Sequence, residues 1–390
     1  MTKRVCIPDY EYRERIQKAA GIIGKRGLDI LVVNSNEADY ANVRYFSGFW
    51  PLFERAGVVI TPSGESALLV GPESTIYATD FGKIERIFTL MEYRESADPS
   101  YPELKPSKYN DVFKALGVKS TKIKIGVASF LDTSVIMMEG LKSCYPEAEI
   151  IRADDIMVEL RSIKSENEIA CLREGFRITE LATKEVINSI KPGVTECQMV
   201  GVAQKVIYEN GAEYEGLPMY IFSEMSTRHA ISRSSHRVIN KGDIVQLNLS
   251  AKVDGYSPSI GMPISLGKLS AERRAVLEFG LRAHQWVEAT LKAGIIAGDV
   301  AKEFYQFYKE NGYEKNYLYG PCHGTGMIEV EAPWMETSST YILQPNMTFQ
   351  IDTFVTTESF GSRWEKGVVI RPNSCEALCS PIGIIHELDF

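Results

Sequence analysis

The stretch GDIVQLNLSAKVDGYSPSIGMPISLG, residues 242–267, decides how this chain reads. Asp254-Gly255 is a pair that favours a tight two-residue turn, so the segment is expected to form a hairpin of two antiparallel strands. Along its first strand Val245, Leu247 and Leu249 fall on one side, and Ile244, Gln246, Asn248 and Ser250 on the other. With the turn centred on Asp254-Gly255, Ser259 faces Ser250. Asn248 and Ser259 then share a face as diagonal neighbours, roughly 7–8 Å apart by backbone. A polar pair on the inner face of a hairpin has the form of half a site, yet neither residue carries a charge.

The hairpin sits in a chain of 390 residues, long enough for two domains, since single cores stop growing near about 250–300 residues. Hydrophobic residues at 44% and charged residues at 24% fit a soluble globular protein. A net charge of −8 leaves no electrostatic footprint for nucleic acid or an anionic membrane. The one basic cluster, Arg228, His229, Arg233, His236 and Arg237, is local and reads as a solvated or site-lining loop. Seven scattered cysteines without a CxxC pair point to reduced thiols. With no apolar leader and no membrane-length run, a cytoplasmic location is expected.

Two domains are expected, 1–160 and 161–390. In the first, an amphipathic helix ends at Gly27, and the apolar runs LDILVVNS, AGVVITPSGESALLVGP, KIKIGVAS and AEIIRAD read as strands of a small mixed or parallel sheet. The second opens at Ser165 and Glu168, an S-x-x-E capping box before a long helix. An internal repeat follows: IKPGVTECQMVGVAQKVIYENG, from 190, and LKAGIIAGDVAKEFYQFYKENG, from 291, share K-x-G, a helical stretch and ENG. Two α/β halves with pseudo-twofold symmetry are expected, with a site drawing on strands of both.

His323 stands out among five histidines because Gly320, Gly324 and Gly326 around it permit close backbone approach. His284 reads as an exposed helix residue, and His236 and His386 as structural. Asp352, in NMTFQIDTFV, and Glu365, in SRWEKGVVIRP, place carboxylates in otherwise apolar strands, which is costly unless they are paired or functional. Cys322 points away from His323 if both lie on one strand, so they are not a nucleophile–base pair.

The succession LRSIKSENEI, INKGDIVQLNLSAKVDGY, HGTG, TFQIDTFV and WEKGVVI resembles the creatinase/prolidase/methionine-aminopeptidase superfamily over essentially the whole chain. The resemblance implies an α/β (α+β) fold: an N-terminal creatinase-type domain followed by a pita-bread domain. Metal-dependent members hold two divalent ions on two aspartates, a histidine and two glutamates. These positions fall on Asn248, Ser259, His323, Asp352 and Glu365, so the hairpin has lost both its carboxylates. Where peptidases carry a further histidine, this chain has Val330, followed by Glu331. The expectation is therefore a metal-free site without a cofactor, one divalent ion on His323, Asp352 and Glu365 being the alternative.

Within the superfamily, metal-free catalysis implies a creatinase-like or ectoine hydrolase-like enzyme. LFERAGVVIT resembles the creatinase segment that presents a phenylalanine and an arginine to the substrate carboxylate, here Phe53 and Arg55. The catalytic histidine falls on His229, while the guanidinium-binding glutamate of the hairpin falls on Gly261. The expected function is metal-independent hydrolysis of a C–N bond in a small carboxylate-bearing molecule. His229 would act as acid/base, His323 would orient the substrate, and Asp352 and Glu365 would bind a cationic nitrogen or water. Phe53, Arg55 and Glu331 would hold the substrate. The alternatives are an Xaa-Pro dipeptidase or aminopeptidase using metal, and a non-catalytic binding protein. The resemblance further implies a homodimer in which the aromatic Phe53-Arg55 segment of one subunit completes the site of the other.

Overall fold

The computed structural model describes residues 4–380 and 382–390, and the chain divides into two compact units. One is Ile7–Arg161; the other is Ser162–Phe390 with the N-terminal residues up to Cys6. The first has helices α1 (Asp9–Lys25), α2 (Ala41–Ser47), α3 (Thr75–Phe81), α4 (Tyr109–Ala115), α5 (Val135–Cys144) and α6 (Asp154–Ser162). Its strands are β1 (Ile30–Ser35), β2 (Ala56–Ile60), β3 (Ser66–Val70), β4 (Ile87–Thr89), β5 (Lys124–Ala128) and β6 (Glu149–Arg152), in the order β4-β3-β2-β1-β5-β6. The sheet is mixed: β1 pairs antiparallel with β2 and parallel with β5. Gly27 takes the left-handed conformation just beyond α1 that the sequence called for.

The larger unit is built twice over. Helices α7 (Glu166–Ser189) and α8 (Glu196–Glu209) precede strands β7 (Tyr220–Ser223), β8 (Ile244–Ser250) and β9 (Ser259–Ser265). Helices α9 (Ala271–Thr290) and α10 (Ala297–Glu310) precede β10 (Cys322–Gly324), β11 (Glu331–Met335), β12 (Thr348–Thr356) and β13 (Gly361–Ile370). The short β14 (Cys375–Ala377) pairs with β13, and β15 (His386–Glu387) with β9. Helices α8 and α10 have 14 residues each, and each ends at an asparagine followed by a glycine of positive φ, Gly211 and Gly312. The repeat is thus carried by the same cap chemistry in both halves. Ser165 and Glu168 form the reciprocal box at the start of α7.

The sheet order β11-β10-β12-β13-β9-β8-β7 puts the two hairpins, β8–β9 and β12–β13, side by side, and the halves meet at β9–β13. Asp254 and Gly255 both have positive φ, and Ser250 pairs with Ser259, the expected register. Neighbouring pairings then line up one row across five strands: Tyr220 with Asn248, Asn248 with Gly261, Gly261 with Glu365, and Glu365 with Asp352.

Alternation along β13 sends Trp364 and Lys366 to one face, where Trp364 Nε1 donates to the Leu277 carbonyl of α9 at 3.0 Å and Lys366 pairs with Glu288 at 2.7 Å. Arg363 and Glu365 project to the other. The core on the α9 side gathers Phe279, Phe304, Tyr308, Phe349, Ile351 and Val368. His284 belongs to this packed face and is not exposed: it is fully buried, with Nδ1 3.1 Å from the Trp364 carbonyl. Burial, with Lys366 nearby, pushes its pKa down to about 3, so it is neutral and structural.

Candidate metal centre and active site

Three residues of the row, Tyr220, Asp352 and Glu365, line a cavity of ≈ 670 Å³ within the larger unit. Its walls include Leu217, Ile231, Leu318, Val330 and Trp334, and its floor holds His323, Glu329, Asp352, Arg363 and Glu365. Apolar walls over a few convergent polar groups are the usual form of a small-molecule site.

His323 sits on β10, packed against Trp334 with ring centroids 5.4 Å apart. Its Nδ1 lies 3.0 Å from the Gly324 carbonyl, to which it can only donate, and its Nε2 faces Glu329, 3.7 Å from Oε1. That Oε1 is buried with no hydrogen-bond partner. Ligand atoms of His323, Glu329 and Glu365 all lie within 4.8 Å of one another. An imidazole anchored through its other nitrogen, a carboxylate oxygen without a hydrogen bond and a second carboxylate are the donors a divalent ion takes. These residues fit one ion. Burial raises the Glu329 carboxyl above its ordinary range; burial, with the negative charges of Glu329 and Asp352, raises Glu365 well above it.

The rest of the row is occupied differently. Asn248 donates Nδ2–H to Glu365 Oε2 at 2.7 Å, and its Oδ1 accepts from Gln246 Nε2 at 3.2 Å. Asp352 Oδ1 is 3.1 Å from Arg363 Nε, and Oδ2 accepts from the Tyr319 hydroxyl at 2.8 Å. Burial alone would lower the Arg363 pKa, but the Asp352 charge holds it well above the ordinary value. Gly261 is what lets the row close: a Cβ there would stand 2.7 Å from Glu365 Cβ and 2.8 Å from Asn248 Nδ2.

One wall, Ala230–Arg233, is held by Glu196 from α8. Its fully buried carboxylate accepts from the backbone N–H and hydroxyl of Ser223 at 2.7 Å each, the Ser226 hydroxyl at 2.7 Å, and the Ser235 N–H and hydroxyl at 3.0 and 2.8 Å. Burial opposes its ionisation, but these bonds outweigh it and hold the pKa below the usual range.

The structure thus brings His323, Asp352, Glu365, Asn248 and Ser259 into one region of the sheet. Exposed His229 lies one residue outside the cavity wall, its ring edge-on to Phe222. Glu331 is not among the lining residues: it forms a buried ion pair with Lys164 at 2.9 Å. Phe53 and Arg55 belong to the smaller unit, where Phe53 is 74% exposed with positive φ. Sequence reading missed Glu329 and Arg363. Glu329 lies in the loop before β11, beside a register shift between His323 and Gly324, so strand alternation does not locate it. Arg363 stands two residues before Glu365 on its face, a signal the alternation of β13 does contain.

The profile of metallopeptidase family M24 matches residues 170–372, and that of the creatinase/prolidase N-terminal domain matches residues 15–163. The chain belongs to metallopeptidase family M24. It is 27% identical over 368 residues to an Xaa-Pro dipeptidase of Pyrococcus horikoshii, covering 94% of this chain and 96% of the relative. Identity to a creatinase of a Bacillus species is 22% over 403 residues, 97% and 93% of the two chains. Among solved structures, an X-Pro aminopeptidase of Thermotoga maritima superposes with a TM-score of 0.82 at 22% identity, over 96% of this chain and 99% of that one.

The M24 chain is a hydrolase of C–N bonds in the creatinase/prolidase superfamily, with the α/β pita-bread fold expected. Two expectations fail. The metal-independent, creatinase-like function is overturned by membership in a metallopeptidase family and by the greater likeness to Xaa-Pro dipeptidases. The expectation of no cofactor falls with it, because counting the hairpin's lost carboxylates overlooked Glu329, which restores a three-residue donor set. Asp352, proposed beside His323 and Glu365 as the third donor, is instead paired with Arg363. Among the described residues no helix is long and apolar enough to cross a membrane.

Proposed function

We propose that this M24 chain is an Xaa-Pro-type dipeptidase that depends on divalent metal, with His323, Glu329 and Glu365 as donors. The observation that carries the reading is this donor set at the floor of an apolar-walled cavity roomy enough for a short peptide. A bound ion supplies Lewis-acid polarisation and an acidified water. The chain's own residues do the rest. Leu217, Ile231, Leu318, Val330 and Trp334 form walls suited to an apolar side chain and a proline ring. The carboxylates favour the free ammonium end of a short peptide. Hydrolysis adds water across the C–N bond, and the departing proline nitrogen needs a proton. His229, at the rim, is proposed as the proton-transfer group, and Phe53, Arg55 and Glu331 as contributors to substrate binding.

Residues 161–390 are proposed as the catalytic domain and 1–160 as the accessory one. A cytoplasmic location, in keeping with seven free cysteines, and a homodimer complete the proposal. The test is hydrolysis of a dipeptide panel by chelator-stripped and Mn²⁺-loaded protein. Cleavage of Xaa-Pro dipeptides with apolar Xaa, lost to chelator and restored by ion, is expected. No cleavage of any Xaa-Pro peptide in the loaded state would refute the reading.

A further inference from the structure

We propose that Arg363 does the work of a second metal ion in this site: its guanidinium, fixed against Asp352, supplies the second centre of positive charge and limits the chain to one divalent ion. The inference rests on the metal-dependent reading above and concerns how many ions the centre holds.

The first argument is occupancy of Asp352. Its Oδ2 accepts from Tyr319 at 2.8 Å, and its Oδ1, without a hydrogen bond of its own, lies 3.1 Å from Arg363 Nε, so an ion on Asp352 would meet a guanidinium already in contact with it. The guanidinium is not a mobile counter-charge. It is 7% exposed, donates through Nη2 to the Ala230 carbonyl and the Tyr319 hydroxyl at 2.9 Å each, and donates through Nη1 to the Tyr220 hydroxyl. It also stands over the Phe354 ring at 5.3 Å. A buried planar fork held through both terminal nitrogens is a fixed charge.

The second argument is donor chemistry. Asn248 turns an N–H toward Glu365, and Ser259 is neutral, so the hairpin offers no anionic oxygen on that side. Divalent ions select anionic oxygen.

The third is charge. Asp352, Glu329 and Glu365 can supply at most three negative charges, which one divalent ion and one guanidinium already balance. A second ion would leave two uncompensated positive charges in a buried volume, where unpaired charge is strongly disfavoured.

The experiment is native mass spectrometry of the full chain, stripped with chelator and titrated with Mn²⁺. Wild type is expected to saturate at one ion per chain. Glu329→Gln should weaken that ion about 10-fold or more, while Asp352→Asn leaves its affinity nearly unchanged. Arg363→Met, confirmed folded by circular dichroism, is expected to admit a second ion, and Arg363→Lys, which keeps the charge, to stay at one. Two ions in wild type would overturn the inference alone, and none would overturn the metal-dependent reading with it. The inference also fails if Asp352→Asn weakens the ion as much as Glu329→Gln, or if folded Arg363→Met still takes only one. Wild-type stoichiometry decides the matter even if a variant fails to fold.

Discussion

Glu329 offers a buried oxygen with no partner, and replacing it with glutamine keeps its shape while removing its charge. Calorimetric titration should show divalent-ion affinity falling about 10–100-fold, with the metal-free protein no less stable, because a buried carboxylate is costly to ionise. Unchanged affinity would remove Glu329 from the centre. Glu196 behaves in the opposite sense. Its folded-state pKa is lowered, so its stabilisation is present above about pH 4.5, the ordinary glutamate value, and is lost as pH falls through the lowered folded value. Urea titrations from pH 3 to 7 should therefore show wild type exceeding Glu196→Gln by about 1–3 kcal/mol near neutrality, the gap closing toward pH 3. At this scale the sequence was partly legible. His323 and Glu365 were found because glycines around one and an apolar strand around the other made them conspicuous. Glu329 was not, because an irregular loop sets its direction; Arg363 was overlooked although the alternation of β13 puts it on the face of Glu365.

The β8–β9 hairpin was readable to the residue, since an Asp-Gly turn with positive φ at both positions fixes the register of everything after it. The repeat was equally plain, because K-x-G and ENG are cap chemistry and caps are local. The face of α9 was harder: a helix histidine is charged or neutral according to what packs on it, and His284 is neutral because β13 covers it. Gly261 is the element-scale residue on which the row depends. Gly261→Ala should destabilise by about 1–3 kcal/mol through overpacking and weaken ion binding by displacing Glu365. Thermal melts and ion titration of the variant check both, and a variant that binds ion normally would show that Glu365 tolerates displacement.

For the molecule as a whole, subunit complementation tests the proposed dimer. Arg55→Ala and His323→Ala, each inactive, should regain up to about half of wild-type activity after subunit exchange if Arg55 acts in the partner's site, as expected of a closed twofold dimer. No recovery despite demonstrated exchange would place Arg55 elsewhere. The wider account stands on the ion itself. A crystal of the full chain loaded with Mn²⁺, measured at the manganese absorption edge, locates that ion directly. The account predicts one anomalous peak per chain, bound by His323 Nε2, Glu329 and Glu365, with Asp352 still against Arg363. A peak on Asp352, a second peak in the row, or none at all would contradict it.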